Sequence, residues 1–124
     1  MQNNLIDKIE SQFKKWLAFP IERPWPNNIW VEAKEGSIYV RYVMEWERLD
    51  LASFAIKPKY QRKGIALEVI KTALKQPVKV VRIESIGNLE WGEKIKRYQF
   101  DGFETKFISQ GYDDLQYSID FVRT

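Results

Sequence analysis

Apolar residues recur at helical spacing near the start of the chain: Leu5, Ile9, Phe13, Trp16 and Leu17 share one face, with Asn3 or Asn4 placed to cap the helix. Pro20, Pro24 and Pro26 then forbid regular structure around Trp25. Beyond Pro26 the period falls to two. Ile29, Val31 and Ala33 alternate with Trp30, Glu32 and Lys34. After a Glu35-Gly36-Ser37 turn, Ile38, Val40, Tyr42, Met44 and Trp46 alternate with Tyr39, Arg41, Val43 and Glu45. This pattern predicts a hairpin whose turn the glycine permits. A third strand spans about Leu49 to Ile56. Leu51 and Ala55 lie on one face and Ala52, Phe54 and Ile56 on the other, which predicts a central strand covered on both sides.

The stretch from Gln61 to Gln76 predicts a helix stopped by Pro77, with Ile65, Ala66, Val69, Ile70, Ala73 and Leu74 as a broad apolar stripe. Val78 to Ile83 is a valine-rich strand. Because a helix separates it from the strand before, the two are expected as parallel neighbours joined by a right-handed crossover. A second motif helix runs from about Leu89 to Phe100, with Trp91, Ile95 and Tyr98 on one side and Gly102 ending it. Two last strands carry Phe103, Thr105 and Phe107, then Leu115, Tyr117, Ile119 and Phe121, joined by a turn through Gly111. The expected class is α+β: a central mixed, mostly antiparallel sheet with helices on both faces, in one domain over residues 1–124.

Composition narrows what such a domain does. At 124 residues the chain is long enough for a real core, and five Trp, six Tyr and seven Phe argue against disorder. Without Cys there is no thiol chemistry, and without His a zinc hydrolase or Ser-His-Asp enzyme loses its central group. The apolar stretches are only a few residues long, far short of a membrane span. Met1 to Glu10 has neither the apolar core of a signal peptide nor the acid-poor character of a transit peptide, so a cytoplasmic location is expected. The 20 basic and 17 acidic residues leave a net charge of +3, mostly interleaved. Lys57, Lys59, Arg62 and Lys63 form the densest basic run, but with Tyr60 alone inside it aromatic residues do not interleave with it as a stacking platform would require. That argues against a nucleic-acid partner.

The basic run occupies the junction between the central strand and its helix, Phe54-Ala55-Ile56-Lys57-Pro58-Lys59-Tyr60-Gln61-Arg62-Lys63-Gly64-Ile65-Ala66. The first turn of a helix leaves about four N–H groups unpaired at the positive end of its dipole. Gly64 lacks a Cβ and lets an anion approach the backbone, while Arg62 and Lys63 add charge at the rim. A diphosphate suits this description; a tight strand-to-helix turn with exposed lysines suits it too. No Walker-type loop and no dinucleotide fingerprint occurs.

Gln61-Arg62-Lys63-Gly64-Ile65-Ala66 resembles the [QR]-x-x-G-x-[GA] signature of the GNAT superfamily of acyl-CoA-dependent N-acyltransferases. Tyr98-Gln99-Phe100-Asp101-Gly102-Phe103 resembles that family's Tyr-x-x-x-Gly-Phe. The resemblance covers about Ile29 to Phe121 and implies acetyl-CoA as cosubstrate, with no metal. It implies that pantetheine pairs with the backbone of Phe54, Ala55 and Ile56, and that the diphosphate sits on Gln61, Arg62, Lys63, Gly64, Ile65 and Ala66. It implies Tyr98 as general acid to the departing thiolate, and a small-molecule or peptide amine as acceptor. For the base, the candidates are Glu84 first, at the end of a parallel strand, then Ser85, Asp50, Glu45 and Glu47.

Two features depart from the family. An Asn normally stands seven residues before the Tyr and touches pantetheine. Here Asn88 is ten residues before Tyr98 and Trp91 holds the seventh position, where it could crowd the channel or stack on the arm. The N-terminal part is also shortened to one helix and a proline-rich loop. This leaves the acceptor pocket open, or completed by a second subunit in a homodimer. The alternative is a catalytically inactive module of the same fold, its coenzyme A site occluded or unused.

Overall fold

The computed structural model describes residues 4–18, 27–86, 89–109 and 117–124. Helix α1, Leu5–Ala18, buries Leu5, Ile9, Phe13 and Trp16 completely, the stripe its periodicity predicts. Asn4 is the cap, its Oδ1 accepting the Asp7 N–H at 2.9 Å. Glu35 Oε2 accepts the Leu5 N–H at 3.4 Å, so a carboxylate from the hairpin turn sits at the helix's positive end.

Strands β1, Asn28–Ala33, and β2, Gly36–Val43, form the predicted hairpin through Lys34 and Glu35. In β2 burial alternates residue by residue, with Gly36, Ile38, Val40 and Tyr42 inward. The alternation was expected to continue to Trp46 but stops at Val43. Met44–Trp46 form a 3₁₀ turn, and Glu47 adopts a left-handed φ of 46° with its N–H closing on the Met44 carbonyl at 3.1 Å. The chain reverses there into β3, Arg48–Ile56.

The sheet is completed by β4, Val80–Ile86, β5, Phe103–Ser109, and β6, Tyr117–Arg123, in the order β1-β2-β3-β4-β6-β5. Every pairing is antiparallel except β3 with β4, the expected parallel neighbours, which are connected through helix α2, Ile65–Leu74. Helix α3, Leu89–Lys96, connects β4 to β5. Leu115 and the turn at Gly111 lie outside the described residues.

Cross-strand partners place Ile38, Val40, Leu49, Leu51, Phe54, Val81, Ile83, Ile119 and Phe121 on one face of the sheet. That face meets α1 and α2, and also α3, whose Trp91 ring contacts Phe54. The three described helices therefore share one face, where cover on both was expected. The two crossovers step the same way across the sheet, and right-handed connections then put both helices on the same side. The core lies between that face and the helices.

Two helix boundaries also differ from expectation. Helix α2 begins at Ile65, not Gln61, because Pro58–Tyr60 form a 3₁₀ turn and Arg62 and Gly64 take positive φ values of 61° and 78°. Helix α3 ends at Lys96, before Phe100: the Arg97 and Tyr98 N–H groups bond three residues back to Lys94 and Ile95, tightening the last turn. Gly102, at φ 84°, serves the turn into β5 and not the helix end.

Candidate functional site

The parallel seam between β3 and β4 is short. Arg48, Leu49, Asp50 and Leu51 pair with Val80, Val81, Arg82 and Ile83, and there the register ends. From Ala52 to Ile56, β3 keeps its partners on β2 only. The strand bulges where they part, because Tyr39 pairs with Ser53 and Val40 with Leu51, leaving Ala52 as the extra residue. Beyond Leu51 the edge of Ser53, Phe54, Ala55 and Ile56 that turns away from β2 thus has no partner strand among the described residues, and the sheet opens there between β3 and β4. Half-burial of residues 52–54 and exposure of Ala55 follow from this: the expected cover on both faces is lost beyond Leu51.

The loop that leaves β3 is built from the end of that opening. Lys57 N–H donates to the Glu35 carbonyl (2.9 Å), and the Gln61 side-chain amide donates to the Ile56 carbonyl (2.9 Å). Gln61 is thereby a loop fastener, and its own N–H is used by Pro58 at 3.3 Å. The amides of Arg62, Lys63, Gly64, Ile65 and Ala66 donate to no group among the described residues; the first helical bond runs from Glu68 N–H to the Gly64 carbonyl. Arg62 and Gly64 both take the positive φ that occurs in anion-binding backbone nests. A Cβ built on Gly64 meets nothing within 4 Å, so the space beside Gly64 is open among the described residues. Lys59 and Lys63 bring their ammonium groups to 5.6 and 5.9 Å from the Tyr60 ring centre, holding positive charge beside it.

Among the candidate bases, Glu84 is the residue that follows the last paired position of β4. Asp50 is fully buried inside the paired seam. Glu45 and Glu47 lie at the other end of β3, exposed, with Glu47 paired to Lys79 at 2.9 Å. The side chain of Ser85, like Asn88, lies outside the described residues. Tyr98 is half-buried just beyond α3, its ring edge-on to Phe100 at 6.0 Å and its carbonyl accepting the Thr105 hydroxyl. Trp91 meets the Phe54 ring edge-on at 5.1 Å, at the side of the opening.

The face away from the described helices carries a feature that spacing alone did not suggest. Arg41, Asp50, Arg82, Asp120 and Lys106 are successive register partners across five strands, alternating in charge. Arg48 grips Asp50 with two bonds of 2.6 and 3.1 Å, and Arg82 grips Asp120 with 2.7 and 2.9 Å. Arg41 lies 3.3 Å from Asp50 and reaches over β3 to contact Glu84. A sequence signal existed: Val40-Arg41-Tyr42, Leu49-Asp50-Leu51, Val81-Arg82-Ile83 and Ile119-Asp120-Phe121 each seat one charge between apolar neighbours.

Burial, and then the neighbouring Asp50 charge, raise the proton affinity of Glu84 above the ordinary carboxylate range; Arg41, Arg82 and Arg48 oppose this without cancelling it. A carboxyl that binds protons more tightly when folded stabilises the fold below its unfolded pKa, and that contribution disappears as pH rises through the folded pKa. Relative to Glu84→Gln, the native chain is expected to lose stability as pH climbs above about 4.5. Urea unfolding of both proteins from pH 4 to 7 checks this; parallel pH curves would contradict it.

No family model matches the chain, and no curated protein matches it in sequence. Solved structures do. A protein from Klebsiella pneumoniae subsp. pneumoniae assigned to the acyl-CoA N-acyltransferases is 13% identical over 94% of this chain and 88% of its own, with a TM-score of 0.52. A protein from Agrobacterium tumefaciens assigned as an acetyltransferase is 15% identical over 91% of this chain and 85% of its own, with a TM-score of 0.50. At these identities the likeness is one of fold, and the fold is that of the GNAT N-acyltransferases.

Proposed function

We propose that this chain, which has the GNAT fold, transfers an acetyl group from acetyl-CoA to the primary amine of an acceptor. The observation that carries this reading is the conjunction at the end of β3: a strand edge with no partner among the described residues leads directly into a loop whose amides donate to none of them. Pantetheine is an extended chain with two amides and can lie along Phe54, Ala55 and Ile56 as a strand does. At its far end the diphosphate would rest on the amides of residues 62–66, at the positive end of α2, with Arg62 and Lys63 beside it. The amine nitrogen then attacks the thioester carbon, and the carbon–sulfur bond breaks. Glu84, beside the opening, takes the proton the amine loses, and Tyr98 supplies one to the departing sulfur.

Acetyl-CoA at a hundredfold its Kd should raise stability by about 2.7 kcal/mol, several degrees in a thermal melt for a domain of this size. Coenzyme A should do nearly as well. A melt unmoved by either ligand contradicts the proposal. The edge-on contact of Trp91 with Phe54 favours a second reading, an inactive module whose channel that ring closes. Under it, Trp91→Ala would gain a coenzyme A response that the native chain lacks.

A further inference from the structure

Six charged side chains form four ion pairs on the face away from the described helices, and the pairs are not equivalent. Arg48–Asp50 and Arg82–Asp120 are complete two-bond pairs whose arginines are 16% and 21% exposed. Arg41–Glu84 is joined through a single Nη2, and the Arg41 side chain is 35% exposed. Its Nε is buried and donates to nothing. The same Nη2 lies 3.3 Å from Asp50, whose two oxygens are also engaged by Arg48. The Arg41–Glu84 pair is the most exposed of these contacts and the one that can exchange partners while Asp50 keeps Arg48. That pair spans β3 beside the bulge at Ala52, where the parallel strands part.

We infer that Arg41 and Glu84 are the acceptor-recognition pair, and that the acceptor is a free α-amino acid whose carboxylate replaces Glu84 at Arg41 while its ammonium replaces Arg41 at Glu84. This rests on the acetyltransferase reading of the same opening. The charge geometry selects the class. The two side chains are in contact, so they present opposite charges side by side. They match a zwitterion whose own charges are separated by a single carbon, in preference to an ω-amino acid or a diamine. A peptide or protein N-terminus lacks the carboxylate and would leave Arg41 with Asp50 alone once the ammonium takes Glu84. In the transfer step the bound ammonium gives one proton to Glu84, the freed amine forms the N–C bond as the C–S bond breaks, and its second proton leaves with coenzyme A as the thiol. The raised proton affinity of Glu84 suits it to receive that proton. Tyr39, two positions before Arg41 on this face, sets its ring 5.3 Å from that of the half-exposed Trp30, tilted by 44°, so an apolar amino-acid side chain would have an aromatic surface to lie against.

The test measures acetyl transfer from acetyl-CoA to L-phenylalanine, L-leucine and L-methionine, and to their carboxamides, alongside a thermal melt with acetyl-CoA. The free amino acids should exceed their amides in kcat/KM by about tenfold or more. In Arg41→Met the preference should fall to near one, and in Arg41→Lys it should survive in part. Because each ratio is taken within one protein, a loss of stability in a variant does not blur it. Equal use of amides, or no transfer to any amino acid while acetyl-CoA raises the melting point, overturns the inference and leaves the transferase reading standing. A melt that acetyl-CoA does not move removes both.

Discussion

Gly64→Glu is expected to weaken coenzyme A binding at least a hundredfold while the chain stays folded. The substituted carboxylate would project into the space over the amides of residues 62–66, where the diphosphate is proposed to rest. Opposing like charges there costs several kcal/mol, and each 1.4 kcal/mol is about a factor of ten in affinity. The fold tolerates the change because nothing lies within 4 Å of the new Cβ. The remaining cost is the left-handed φ of 78°, about 1–2 kcal/mol for a residue with a side chain. Calorimetric titration with coenzyme A, beside a denaturation curve, separates the two effects. Unchanged affinity in a folded variant would mean that the phosphates sit elsewhere.

Gly36→Ala should have the larger effect on stability, with an expected loss of about 3–5 kcal/mol. At φ 141° the backbone of Gly36 is in a region that side chains rarely enter, which costs on the order of 1–3 kcal/mol. The added Cβ would also stand 2.3 Å from the Ala55 carbonyl oxygen and 2.9 Å from the Ile56 Cα. These are backbone atoms of the neighbouring strand, and relieving such an overlap costs about 1–3 kcal/mol more. Against a total of about 5–15 kcal/mol the loss is severe. Since Gly36 pairs with Ile56, and Lys57 bonds to Glu35, the shift would also reach the basic loop. A urea midpoint equal to that of the native chain would show that β3 yields more easily than its packing indicates.

What could be read directly from the chain was whatever is local. The stripe from Leu5 to Trp16, the alternation in β2 and the strand–loop–helix at Ile56 to Ala66 each depend on residues close in sequence. Boundaries failed where a few backbone angles decide: Glu47, Arg62 and Gly64 adopt positive φ and end or delay regular structure that side-chain pattern alone would have extended. The charged row was missed for another reason. Arg41 and Asp50 are near in sequence, but Arg82 and Asp120 arrive through a crossover and a return strand, and only register brings all four into line. The parting of β3 from β4 was likewise invisible, because it is a matter of pairing between strands distant in sequence.

Most sheets keep their unpaired edges at the rim, where another chain can add on and aggregation begins. Among the described residues one such edge lies inside the sheet instead, where β3 parts from β4, with α2 linking the two strands and α3 packed beside them. A molecule that pairs with it must enter the sheet, so this edge is shielded from the strand-by-strand addition that a rim edge invites.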